Sequence, residues 1–352
     1  MSCMSCQFLV DQFTQQGWEH WFKAFPCANL YQTWDYGETH CRGVGRTVSR
    51  AVLLAEDRPL AAAQFRIKKI PLLNLGVAEV NWGPLWNPNE VLQEEWIQTE
   101  FLTRVRDEFM VRRGLGLQFE LPGRPDENQN AKIAGIFLSN GFTRNTKKRP
   151  YRTCILDLGE GLESLRVKLN GKWRNSLNNA EKAGLEAEYG SSTTHFDRFR
   201  RIYDEMWAEK RFPTGVCMDA IRAFQARAAE TNKLRIWILS DRGTDVAAGA
   251  FAALGDTAVY FLGASSPKLR KNTNSGYLLQ WLNIRKSIEL GFRWYDLGGV
   301  TDEPGSTVDL FKVRMGGRRF IFPGWFECSR SKTQRSLYEA FETSYRRICS
   351  IR

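Results

Sequence analysis

No stretch of this sequence comes near the roughly eighteen consecutive apolar residues that a bilayer-crossing helix needs. Met1 to Gln7 hold neither a basic nor an apolar segment before Asp11, Gln12 and Gln15, so a signal peptide is not expected and a cytoplasmic location is. Histidine is scarce: only His20, His40 and His195 are present, with no GxSxG and no HExxH, which excludes the common serine and zinc hydrolase sites. His195, beside Thr194 and an amphipathic stretch, reads as a surface histidine. Gly43-Val44-Gly45 and Gly114-Leu115-Gly116 both lack the third glycine of a dinucleotide loop. The eight cysteines are scattered, as expected of reduced thiols. Cys3 and Cys6 form a CxxC without a second pair, so no metal site is expected.

What is present is an ordinary globular composition. Of 352 residues, 43% are apolar and 25% charged, which suits about two domains of ~150 residues. The net charge of +11 favours an anionic partner: nucleic acid, a nucleotide, or the head groups of a membrane touched peripherally. Residues 312–352 hold ten Lys and Arg against Glu327, Glu339 and Glu342, so +7 of that charge lies at one end.

Two stretches repeat one pattern. Residues 52–65, VLLAEDRPLAAAQF, and 236–251, IWILSDRGTDVAAGAF, each read as a β-hairpin with its turn at Asp57-Arg58 or Asp241-Arg242. Each is followed by a helix, a glycine and a short strand, in 99–121 and in 277–299. Leu278, Leu279, Leu282, Ile284 and Ile288 recur near helical spacing, and Gly291 stops that helix. The repetition predicts a duplicated α/β unit. NTKKRP, 145–150, reads as a linker. Residues 1–150 are expected to form the first domain and 151–317 the second. The apolar strand Phe320–Phe322 then falls beyond the second repeat, so 318–352 should complete the first domain. Residues 162–183 read as one basic helical region ending at Gly184, and 330–348 as a final helix.

The segment 292–319, FRWYDLGGVTDEPGSTVDLFKVRMGGRR, runs from a strand through Gly298-Gly299 and a polar loop to Phe311-Lys312. On composition alone it is a strand-end turn with a solvated lysine or a glycine-lined ligand site. YDLGGV and FKVRMGG resemble the C-terminal signature of the Fem family, the FemX-like nonribosomal aminoacyltransferases of peptidoglycan. QTWDYG (32–37), VNWGPLW (80–86), KLNGKWRNSLNNAEKAGL (168–185) and YFLGAS (260–265) resemble further pieces of that family, in its order and over nearly the whole chain. No heptad run interrupts 186–235, so the resemblance is to the kind without a coiled-coil arm.

The resemblance implies two GNAT-like acyltransferase domains and no cofactor. The implied donor is aminoacyl-tRNA, not DNA, and the acceptor is an amine on a cell-wall precursor. Lys312 takes the position of the cation that stabilises the oxyanion, and Glu120 that of the acid facing the attacking ammonium. Trp82, Gly83, Tyr260, Phe311, Gly298 and Gly299 take substrate-binding positions. Lys172, Trp173 and Arg174 lie on the basic segment, where cations beside an aromatic would suit the CCA end; a solvated helix face is the alternative. The sequence departs from the family where Trp82 replaces a cation before Gly-Pro, where Leu262 replaces an aromatic, and in RFPTGVC (211–217). These departures bear on the acceptor. A CoA-dependent N-acyltransferase on the same scaffold is the competing reading, although KLRKNTNSG (268–276) has Thr273 and Ser275 where a pyrophosphate loop has glycines. A non-catalytic binder of a precursor or RNA is the third.

Overall fold

A computed structural model describes residues 6–42, 46–69, 75–87, 95–211, 215–266, 274–301, 303, 305–331, 333, 335, 336 and 340. The Gly43-Val44-Gly45 stretch, Cys3, most of 268–276, part of 211–217 and most of the expected final helix lie outside them. The chain divides into two compact units, Met1–Tyr151 with Ile321–Arg352, and Arg152–Phe320.

Strands Cys6–Val10 (β1), Thr47–Ala55 (β2), Arg58–Lys69 (β3), Gly76–Asn81 (β4), Leu85–Trp86 (β5), Gly116–Leu121 (β6) and Thr143–Arg144 (β7) come first. Arg152–Asp157 (β8), Glu186–Gly190 (β9), Arg235–Asp241 (β10), Thr244–Leu254 (β11), Thr257–Ser265 (β12), Trp294–Gly299 (β13) and Arg318–Ile321 (β14) follow, and Gly324–Cys328 (β15) is last. One sheet has the order β1-β2-β3-β4-β6-β15-β7, with β5 beside β3. The other has the order β14-β8-β13-β12-β11-β10-β9. The strand Arg318–Ile321 thus pairs with β8 in the second sheet, whereas the sequence reading assigned residues from 318 onward to the first domain.

Both sheets use one plan. A hairpin (β2-β3; β10-β11) leads to a third antiparallel strand, and a helix then crosses to a parallel neighbour, β4 to β6 and β12 to β13. The second hairpin turn is Arg242-Gly243, both at positive φ (49° and 76°), as a two-residue turn of primed type requires. The first turn is Glu56-Asp57, one residue earlier than the sequence reading placed it, because Ala55 pairs with Arg58. The helix Glu95–Val105, continued by a wider turn through Arg112, precedes β6, and the helix Ser275–Glu289 precedes β13.

Period-two alternation gives the first sheet two unlike faces. Phe65, Ala78, Leu117 and Phe326 belong to a core with Phe101, Phe109, Phe137 and Phe142. Phe65 stacks on Phe109 at 4.1 Å, and Phe119 meets Phe137 edge-on at 5.3 Å. The alternate residues Arg66, Glu79, Gln118 and Glu327 are cross-strand neighbours on the opposite face.

In the second unit the basic region is two helices, Leu162–Lys168 and Gly171–Lys182. The break falls at Leu169-Asn170, where the Asn170 side chain accepts the Lys172 N–H at 3.1 Å and caps the second helix. Trp173, 1% exposed, lies in the core with Leu177, Leu279 and Tyr295. Its indole meets Tyr277 at 5.0 Å and Phe311 at 5.7 Å. Trp173 is therefore not available to stack on a nucleotide, which corrects its assignment from the sequence. Trp173→Ala should cost about 3–5 kcal/mol in urea denaturation, the usual range for emptying a buried aromatic site. Lys172→Glu should move the midpoint by less than ~0.5 kcal/mol, because Lys172 is exposed.

Candidate functional site

In the second unit two parallel strands part company. β12 and β13 pair only from Thr257↔Trp294 to Val259↔Asp296. The next residues of β12 keep their bonds to β11 through a register shift, Ala250↔Leu262 followed by Phe251↔Tyr260, which leaves Phe261 as the extra residue. On the far side of β13 the register against β8 shifts between Asp296 and Gly299. A bulge bends its strand, so irregularities on both strands accompany the opening between them.

Lys312 reaches this opening from the helix Thr307–Arg314. The sequence offered a lysine after a glycine-rich loop; the structure sets it in a helix capped by Ser306, whose hydroxyl accepts the Asp309 N–H at 3.2 Å. Its Nζ donates to the Gly298 carbonyl at 3.0 Å and to the Gly299 carbonyl at 2.6 Å. The side chain is buried, so the solvated reading of this lysine fails. Burial lowers its pKa, and the Asp296 charge works against that shift. Among the described residues these two carbonyls are its hydrogen-bond partners; an ammonium has three donors, which leaves one for a ligand. Gly298 has φ +78°, and a Cβ there would stand 3.1 Å from the Tyr260 carbonyl oxygen and 3.6 Å from the lysine Nζ. Asp296, 1% exposed, takes the Gly298 N–H at 2.8 Å and the Thr153 hydroxyl on the same oxygen. Just beyond the strand end, Thr301, Glu303, Ser306, Asp309 and Arg319 line a polar recess of about 180 Å³.

Lys312, Gly298 and Gly299 are thus brought together, with the Tyr260 backbone beside them. The Tyr260 ring begins beside Gly298, where a Cβ would stand 3.8 Å from its Cδ1, and extends over Gly249 and Gly263, where a Cβ on Gly263 would meet its hydroxyl; burial raises its pKa to about 12. The Phe311 ring packs on Trp173 and Tyr277. Both rings are half-buried.

In the first unit Glu120 lies on the polar face of β6, in register with Asn81 on β4 and Trp325 on β15. Asn81 Nδ2 donates to Glu120 Oε2 at 3.1 Å. Burial raises the Glu120 pKa and the Glu79 charge adds to this; the Asn81 hydrogen bond, Lys148 and Arg66 oppose it. The adjoining row is a buried ion network. Glu79 receives Arg66 at 2.7 Å and Arg46 and Lys148 each at 3.4 Å. Lys148 also donates to Gln118 at 2.8 Å and lies 3.7 Å over the Trp325 ring. The sequence analysis missed Asn81, Arg66 and Lys148; only the alternation of polar with apolar residues along β3, β4 and β6 signals this face.

Trp82 follows β4 in the left-handed region, φ 50°, before a cis Gly83-Pro84 bond. Asn29 and Gln32 pin the Trp82 and Asn81 carbonyls at 2.7 Å each, and the Gly83 N–H reaches the Glu120 carbonyl at 3.3 Å. A Cβ on Gly83 would collide with Val80. The indole is buried among Tyr31, Tyr151 and Phe322, at 5.2, 5.0 and 5.6 Å. Trp82 and Gly83 therefore shape the strand end beside Glu120. Lys172 and Arg174 are exposed on the second unit.

Residues 168–307 match the acetyltransferase (GNAT) domain family. The crystal structure of FemX is similar over 95% of this chain and 100% of its own, with TM-score 0.80 and 14% identity. The chain has a FemX-like tandem GNAT fold. A tandem GNAT protein of the clavulanic acid biosynthesis pathway is similar over 92% of this chain and 98% of its own, with TM-score 0.50 and 14% identity. So is the C-terminal domain of an Agrobacterium fabrum protein assigned as a lysylphosphatidylglycerol synthetase, over 79% and 84%, with TM-score 0.50 and 14% identity. No curated protein matches. The GNAT domain marks the chain as a transferase of acyl groups. No described helix is long and apolar enough to cross a membrane.

The Glu79 network has a pH signature. Burial alone would raise this carboxyl, but Arg66, Lys148 and Arg46 overcome that and hold it down at about 2. A depressed carboxyl stabilises the fold above its unfolded pKa and loses that contribution as pH falls toward the folded value. Stability should therefore drop between about pH 4.5 and 2, by about 3 kcal/mol from this group. Urea midpoints across that range should fall less steeply in Glu79→Gln, although that variant starts lower because its cations lose their partner.

Proposed function

We propose that this protein transfers an aminoacyl group from aminoacyl-tRNA to an amine, with a peptidoglycan precursor as the acceptor and the cytoplasm as its location. The observation that carries the reading is the buried Lys312 ammonium, fixed on two glycine carbonyls with one donor to spare. The amine attacks the ester carbonyl, the C–N bond forms and the oxygen becomes an oxyanion. When the C–O bond breaks, the tRNA ribose oxygen leaves. Charge grows on the carbonyl oxygen only as the tetrahedral species forms, so a cation beside it favours the transition state over the bound ester. Glu120 takes the proton that the attacking ammonium must lose, and burial, which raises its pKa, makes it a stronger base than a solvated carboxylate. The exposed Lys172 and Arg174 supply phosphate contacts to the tRNA.

The acceptor is the more open part. Where the family resemblance has a cation, this chain has the buried Trp82, so the phosphates of a nucleotide-sugar peptide lose one contact. A similar structure belongs to a protein assigned as a lysylphosphatidylglycerol synthetase, whose named product is an aminoacylated lipid. A lipid head group met at a membrane surface is therefore an acceptor to test; phosphatidylglycerol itself offers a hydroxyl, so an amine-bearing lipid separates amide from ester formation. The match of 168–307 to the acetyltransferase family supports the second reading, transfer from acyl-CoA.

The test is single-turnover transfer with a mixture of charged tRNAs, with and without ribonuclease, and with labelled acyl-CoA in parallel. The acceptors are a nucleotide-sugar peptide, amine-bearing lipid vesicles and free diamines. Ribonuclease-sensitive transfer is expected, and transfer from acyl-CoA alone would overturn the donor. Lys312→Ala should lower the rate about 10²–10³-fold with tRNA affinity unchanged. Lys312→Arg should rescue in part, since its donors are held in a planar fork. A Lys312→Ala rate within about threefold of wild type would remove Lys312 from the chemistry, being under ~0.7 kcal/mol. Charge reversal at Lys172 and Arg174 should weaken tRNA binding and flatten its salt dependence.

A further inference from the structure

The geometry points to Asn81, held by Arg66, as the positioning residue for Glu120. This inference rests on the reading of Glu120 as the base. Asn81 is the last residue of β4 and stands in register with Glu120 on the parallel strand β6. Its amide bridges two groups: Oδ1 accepts from Arg66 Nη2, and Nδ2 donates to Glu120 Oε2 at 3.1 Å. A guanidinium has donors only, so it can bind only the oxygen end of the amide. The NH2 end is thereby forced toward Glu120, and the orientation of the asparagine is not arbitrary. Arg66 is itself fixed by Glu79 at 2.7 Å. The Asn81 backbone is held too, since Gln32 Nε2 donates to its carbonyl at 2.7 Å.

Among the described residues, only Oε2 of Glu120 has a hydrogen-bond partner, so Oε1 is left to receive a proton. A neutral amide orients the carboxylate without cancelling its charge. A lysine or arginine in the same place would hold the proton off more strongly and leave a poorer base. The charged groups around Glu120 are Glu79 on β4, Arg66 on β3 and Lys148 after β7. Glu327 lies two residues from its neighbour Trp325 on β15, with Arg335 bound to it at 2.6 Å. Lys148 and Arg66 are shared with Glu79, which leaves Asn81 as the one direct donor to Glu120.

The experiment follows the Glu120 carboxyl by carbon-13 NMR titration of glutamate-labelled protein, with its resonance assigned by Glu120→Gln. The variants are Asn81→Ala, Asn81→Asp and Asn81→Ser, and transfer is measured on the same samples from mixed charged tRNAs to the nucleotide-sugar peptide. Asn81→Ala should move the midpoint up by about one to two pH units, the effect of removing one hydrogen bond to a carboxylate. Asn81→Asp should move it further, because a like charge then faces it. Asn81→Ser should restore part of the shift through its hydroxyl. The acidic limb of the transfer rate should move with the NMR midpoint, while the thermal midpoint of Asn81→Ser stays near wild type. Midpoints in Asn81→Asp and Asn81→Ser that match wild type would overturn the positioning role. A Glu120→Gln variant that transfers at the wild-type rate would instead overturn the reading of Glu120 as base, whatever the titration shows.

Discussion

Parting two paired strands takes backbone groups away from their partners, and buried backbone groups must find others. Much of the second unit is arranged around that requirement. β12 and β13 separate after Val259 and Asp296, and the carbonyls of Gly298 and Gly299 receive the Lys312 ammonium instead of a strand. The Asp296 carboxylate takes the Gly298 N–H that the bulge turns inward. The lysine must arrive from one direction, which the helix Thr307–Arg314 sets, and Phe311 anchors that helix on Trp173 and Tyr277. The aromatic cluster, the left-handed glycine and the buried aspartate all hold one cation at one gap.

The first unit starts from the same strand plan and keeps the pair closed. β4 and β6 stay in register through Asn81↔Glu120, so its polar groups sit on the face of the sheet. That face buries several charges, which is costly unless each is paired. Glu79 meets the condition with three cations, while Glu120 has one neutral donor. The Glu79 carboxyl is held down and that of Glu120 is pushed up, although they lie two residues out of register on adjacent strands. Pushing neighbouring carboxyls in opposite directions separates a structural charge from one that can exchange a proton.

The repeated α/β plan was legible because its signals are local. Positive φ is carried by glycine at Gly291, where the sequence reading ended a helix, and at Gly243, one residue beyond the turn it placed at Asp241-Arg242. The alternation of polar and apolar residues along β3 and β6 is equally local, but it went unread. What could not be read is which side of an element faces a core. Trp173 lies among Lys172, Arg174 and Asn175, and polar neighbours made an indole look exposed; one helical turn on, Leu177 shows the buried side. Composition left Lys312 open between a solvated lysine and a ligand site for the same reason, since only a non-local partner, the carbonyl pair of Gly298 and Gly299, makes burying its charge tolerable. The break at Asn170-Gly171 was missed although both residues favour a cap over a helix interior.

The two candidate groups share an electrostatic logic. Each is a charge oriented by neutral dipoles: Lys312 by two backbone carbonyls, and Glu120 by a side-chain amide. A counter-ion in contact would fix the geometry just as well, but it would spend the field of the charge on itself. Dipoles hold the group in place and leave the charge to act on a third party. This arrangement suits charge that develops elsewhere, on a carbonyl oxygen or a departing proton. The cost is visible in both, because burial moves each pKa toward its neutral form, downward for the lysine and upward for the glutamate. Fully paired groups would avoid that cost, as Glu79 does, and would then have nothing left to offer a substrate.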